Sequence, residues 1–127
     1  MAATSEHALE LAGQYLSGVR VLDRDEDETR SLIRIEGRWR SRRVVIQQVY
    51  RADHSARYAY YVLDADNRLV YAYDNHRDKT AIRLKYGDAW RAHRQEEVPH
   101  RHNRQGDVAL TGFVTLKAFL LELQEIA

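Results

Sequence analysis

No cysteine occurs among the 127 residues, which excludes disulfides and thiolate metal sites. No run of about 18 apolar residues occurs either, so the sequence predicts no membrane span. The opening "MAATSEHALELAG" lacks a basic stretch followed by a long apolar core, so no signal peptide is expected and the expected location is the cytoplasm. Charge of one sign is lacking as well: the formal net charge is +1, which gives no global warrant for a nucleic-acid partner. Lysine is scarce, with only Lys79, Lys85 and Lys117 among 20 basic residues. Proline occurs once, as Pro99, in the stretch "EEVPHRHNRQGD" (residues 96–107), which also holds His100, Arg101, His102 and Arg104.

What is present reads as a globular chain, 44% hydrophobic and 31% charged, of a length that fits one domain. "TSEHALELAGQYL" (4–16) has helical spacing, with Thr4 or Ser5 as cap and Gly18 as stop signal. "DRDEDE" (23–28) is expected to be an exposed turn. Residues 31–39, 43–52, 56–64 and 68–74 alternate or are β-branched and predict four strands. "DADN" (64–67) predicts a tight hairpin, because Asp and Asn tolerate positive φ. Tyr58, Tyr60, Tyr71 and Tyr73 share one strand parity and should crowd one face. In residues 80–99, "AIRLKYG" is compatible with a short strand and "DAWRAHRQEE" with a helical turn or an extended arm. "TLKAFLLELQEIA" (115–127) predicts a helix capped by Thr115, with Leu116, Phe119, Leu120, Leu123 and Ile126 as its apolar stripe.

This order predicts a single two-layer α+β domain. It is an antiparallel meander of about four to six strands, with the N- and C-terminal helices packed on one face. The other face is expected to carry the tyrosines, the arginines and the segment around Pro99.

Two imidazoles at alternate positions lie on one side of an extended chain, which makes His100 and His102 a candidate acid–base pair. Arg101 should then point the opposite way, leaving Arg104, Arg83 or Lys85 to clamp a phosphate. Tyr71 or Tyr73 would stack on a base or donate a proton, although a tyrosine ladder more often serves packing. His100, His102, His76 and Asp74 also form a set chemically adequate for a divalent ion. The clustered arginines argue against a cation there, so no metal is expected. A non-enzymatic partner-binding surface around Trp39 or Trp90 is the further alternative.

The run "YYVLDADNRLVYAYDN", then "VPHRHNRQGDV", then "TLKAFLLEL" resembles the TumE family of toxin–antitoxin toxins over roughly the last two thirds of the chain. The positions that carry the resemblance are Tyr60, Tyr61, Asp74, Asn75, His76, Pro99, His100, His102, Thr115 and Leu116. The chain departs from the family pattern in having one histidine after the Asp-Asn pair and a longer interval before the second histidine segment. The resemblance implies a bacterial toxin paired with a helix-turn-helix antitoxin and an RNA target. Asp74, His76, His100 and His102 would form its catalytic site. A metal-independent ribonuclease is the expected chemistry, with a His-based metal-binding hydrolase as alternative.

Overall fold

The computed structural model describes residues 2–126, with side chains from Ser5 onward. Seven antiparallel strands form one sheet in sequence order, β1 (Ser17–Glu26), β2 (Arg30–Trp39), β3 (Arg42–Arg51), β4 (Ala56–Leu63), β5 (Leu69–Asp74), β6 (His100–Asn103) and β7 (Val108–Leu110). Helix α1 (Ala2–Tyr15) precedes the sheet, α2 (Lys79–Tyr86) and a 3-10 helix (Gly87–His93) lie between β5 and β6, and α3 (Leu116–Glu125) closes the chain. The α+β meander is therefore as expected, but with seven strands rather than four to six. Among the described residues, no helix is long and apolar enough to cross a membrane.

The four expected strands appear as β2 to β5 within one residue at either end. Their alternation is explicit in β2, where buried and accessible positions strictly alternate along Ser31 to Trp39. The β4–β5 turn closes on Asp64, whose Oδ1 accepts from the Asp66 and Arg68 amides at 2.9 and 3.0 Å, and Asn67 takes φ 60°. Only the end of the acidic run, Asp27 and Glu28, lies in a turn. Asp23 to Glu26 complete β1, and the turn comes after them, where Asp27 Oδ1 accepts from the Thr29 and Arg30 amides. β1 escaped the alternation test because it is exposed along nearly its whole length. Its charges suit an edge strand, where they discourage pairing with other chains.

Helices α1 and α3 pack together on one face, over Ile33, Ile35, Val44, Ile46, Val62 and the tyrosines. The expectation that the tyrosines occupy the other face is overturned. Tyr58, Tyr60, Tyr71 and Tyr73 do share a face, but it is the helix-covered one. Tyr60 stacks on Phe119 at 4.9 Å, and Tyr71 and Tyr73 meet Phe119 edge-on. Three of the four hydroxyls find partners, while that of Tyr71 is buried without one among the described residues. Tyr60 donates to the Val114 carbonyl, Tyr58 accepts from the Val114 amide, and Tyr73 donates to Glu122. Trp39 is also core, its Nε1 donating to Gln124 at 2.9 Å.

Helix α1 is already under way at Thr4 and Ser5. The Thr4 side chain lies outside the described residues, as does Ala127 at the end of the second expected helix. Ser5 does not cap but pairs with the Ser31 hydroxyl. Thr115 does cap α3, accepting from the Ala118 amide at 3.1 Å. "AIRLKYG" is not a strand. Its residues 81–86 belong to α2 and Gly87 ends that helix at φ 58°, while Asp78 caps its start, Oδ1 accepting from the Ala81 amide at 2.9 Å. α2 packs Ala81 and Ile82 against Val98 and Val108 on the face opposite α1 and α3. The two-layer expectation thus gains a partial third layer, and the candidate site lies at its margin.

Candidate functional site

Strand pairing brings the motif residues together. In the β5–β6 ladder Asp74 lies opposite His100 and Ala72 opposite His102. Alternation then sends Asp74, His100 and His102 out of the same face, and Arg101 out of the other. Arg101 accordingly lies over the rings of Tyr71 and Tyr73, at 4.8 and 5.3 Å. β6 is held extended because it pairs on both sides, with β5 and β7. Asn103 and Gly106 close its hairpin. Asn103 Oδ1 accepts from the Gln105 and Asp107 amides, and Gly106 takes φ 85°.

Three donor atoms converge at this point. His100 Nε2 lies 3.0 Å from His102 Nε2 and 3.1 Å from Asp74 Oδ1, and His102 Nε2 lies 3.3 Å from Asp74 Oδ2. His100 is 1% exposed, while the His102 side chain is 26% exposed, so the cluster is accessible from the His102 side. The His100 ring is fixed at its far end, where Nδ1 lies 2.7 Å from the Val98 carbonyl. A carbonyl only accepts, so Nδ1 carries a proton and Nε2 is the atom whose proton is exchangeable. Asp78 approaches from the start of α2, its Oδ2 3.9 Å from His100 Nε2.

The electrostatics follow from this packing. Burial pulls the His100 imidazolium down, but the Asp74 carboxylate, the Val98 carbonyl and Asp78 outweigh it, and its pKa is raised. Burial pushes Asp74 up, yet His100 and the His76 amide more than offset this and hold the carboxyl below its ordinary value. Burial holds the His76 imidazole below its usual pKa.

His76 joins the cluster through its backbone, its amide donating to Asp74 Oδ1 at 2.9 Å, while its ring Nε2 is buried with no hydrogen-bond partner. The other residues expected at the site stand apart from it. Arg104 pairs with Asp64 at 3.0 Å, Lys85 pairs with Glu96 at 2.9 Å, and Arg83 lies over Trp90 at 4.4 Å. Tyr71 and Tyr73 are separated from the histidines by the sheet itself. Arg101 and Arg104, two of the clustered arginines expected to disfavour a cation, both turn to other partners.

Two contributors were not among the expected catalytic or binding residues. Asp78 is one, and it reads as an ordinary helix cap until β6 is set beside it. Asn75 is the other. Its side chain accepts from the Tyr58 amide at 2.8 Å and donates to the Ala56 carbonyl at 2.9 Å, tying the chain after Asp74 to the start of β4. Asn75 is 5% exposed, so Asn75→Ala leaves two backbone groups of β4 without these partners. A loss of about 1–3 kcal/mol is expected, read as a lower urea midpoint at unchanged slope.

A shallow groove lined by Arg77, Lys79, Ile82, Trp90 and Arg94 adjoins the cluster through Asp78. Trp90 is partly exposed, and the charged ends of Lys79, Arg83 and Arg91 lie 5.2, 4.4 and 4.9 Å from its ring centre. No protein-family model, curated protein or solved structure matches this chain significantly.

Proposed function

We propose that this chain is the toxin of a bacterial toxin–antitoxin pair and that it cleaves RNA at the centre formed by Asp74, His100 and His102. The observation that carries this reading is the convergence of two imidazoles and a carboxylate within 3.3 Å at a point reached from solvent through His102. The order of the motifs along the chain, which resembles the TumE pattern, supplies the biological role.

Cleavage at a ribose requires a base for the 2′-hydroxyl proton, an acid for the leaving oxygen and positive charge for the phosphate. His102 is the accessible imidazole and meets the substrate. His100 and Asp74, both buried, orient it and set its charge environment. The groove beside Asp78 supports an RNA substrate. Arg77, Lys79 and Arg94 present cations to a backbone, and the Trp90 ring beside them gathers Arg83 and Arg91. A helix-turn-helix antitoxin is the partner this reading implies.

Induced without a partner, the soluble protein should slow growth, and co-expression of a helix-turn-helix protein encoded beside it should restore growth. Unimpaired growth with abundant soluble protein in several hosts would remove the toxin reading.

A further inference from the structure

We infer that Asp74, His100 and His102 form a binding site for one divalent transition-metal ion of the zinc class. The inference deepens the reading above, because it rests on the same three residues and supplies positive charge at the imidazole cluster itself, whereas Arg77, Lys79 and Arg94 line the adjoining groove.

The first ground is spacing. Ligand bonds of about 2.0–2.2 Å place two ligands of one zinc ion roughly 2.8–3.5 Å apart, between right-angled and tetrahedral geometry. The three separations here are 3.0, 3.1 and 3.3 Å. Each falls within the span for neighbours on a single ion. Taking one ligand atom from each residue, the three lie within 4.8 Å of one another.

The second ground is the chemistry of the donors. Two imidazoles and one carboxylate are a recurrent set for zinc and for iron(II), and three protein ligands leave positions for water or substrate. Val98 fixes the His100 tautomer as a ligand requires, with Nδ1–H directed to a carbonyl and the Nε2 lone pair directed inward. The third ground is charge. Asp74 and Asp78 both face His100, and among the described residues neither carboxylate is paired with a lysine or arginine. Both carboxylates face a histidine, which binds a metal in its neutral form, so a dication would take the place of the proton held there. The Asp78 oxygen, 3.9 Å from His100 Nε2, is placed to accept from a water on that ion. At a phosphodiester the ion would act as a Lewis acid and lower the pKa of bound water.

The test uses tag-free, full-length protein stripped with chelator and titrated with zinc chloride by calorimetry. One equivalent per chain is expected, with a rise in melting temperature. Magnesium chloride at the same concentrations should give neither, since nitrogen-rich sites suit it poorly. His102→Ala and Asp74→Asn should each weaken zinc binding at least about tenfold while keeping the wild-type circular dichroism spectrum. His7→Ala, at an exposed histidine, should leave it unchanged. Folded wild type that binds no stoichiometric zinc overturns the inference, as does binding that survives unchanged in both variants. The two readings fail separately. Zinc bound by a protein that leaves growth unimpaired upholds the metal site and removes the toxin. A toxic protein that binds no ion does the reverse.

Discussion

Expressed at matched soluble levels, His102→Ala should leave growth unimpaired where the wild type arrests it. Loss of a catalytic acid or base costs about 10²- to 10⁴-fold in rate, and loss of a metal ligand acts in the same direction. His102 is the informative position because its side chain is 26% exposed, so truncation opens no sealed cavity. His100→Ala should also abolish toxicity, but His100 is 1% exposed and fills space against Asp74 and Val98, so that variant perturbs the fold as well. His7→Ala and His54→Gly are the controls. Both residues are exposed and outside the cluster, and glycine suits the φ of 67° at residue 54. Both should remain toxic, with stability within roughly 0.5 kcal/mol of wild type for His7→Ala. Equal toxicity of His102→Ala and the wild type would mean that the convergence of imidazoles has no part in function.

Phe119→Ala should carry the largest stability loss, about 3–5 kcal/mol. Phe119 is fully buried, stacked on Tyr60 with an interplanar angle of 24° and met edge-on by Tyr71 and Tyr73. It is the point where α3 locks onto β4 and β5, and its removal takes one partner from three aromatic contacts at once. Against a total stability typically about 5–15 kcal/mol, such a loss should lower the urea midpoint sharply and reduce soluble yield. The comparator is Leu121→Ala on the same helix, which is 46% exposed and should change the midpoint little. Comparable losses in both variants would show that the tyrosine face is not packed against α3 as described.

The strands that alternate apolar and polar residues were legible because one face of each is buried, and the C-terminal helix because its stripe and cap are local signals. β1 was not legible, since an exposed edge strand has no buried face to print a period on its sequence. α2 was not, since an eight-residue helix with only Ala81 and Ile82 buried carries too few apolar positions to distinguish period two from period 3.6. Parity placed the four tyrosines on one face but could not say which. For Tyr58, Tyr60 and Tyr73 that depends on hydroxyl partners 49 to 56 residues away, at Glu122 and Val114, and for Tyr71 on its ring packing against Phe119. The same parity correctly set His100 beside His102 and turned Arg101 away. The carboxylate that completes the site was legible only as part of a family-like motif. What brings Asp74 to His100 is the β5–β6 register, across the intervening α2 and 3-10 helix.

RNA cleavage at the Asp74, His100 and His102 centre is checked by incubating purified wild-type and His102→Ala proteins, matched in circular dichroism, with a labelled single-stranded RNA, with and without added zinc. Cleavage products are expected from the wild type, and a rate lower by about 10²-fold or more from His102→Ala. Cleavage by His102→Ala at the wild-type rate would contradict it, and the active centre would then have to lie away from Asp74, His100 and His102.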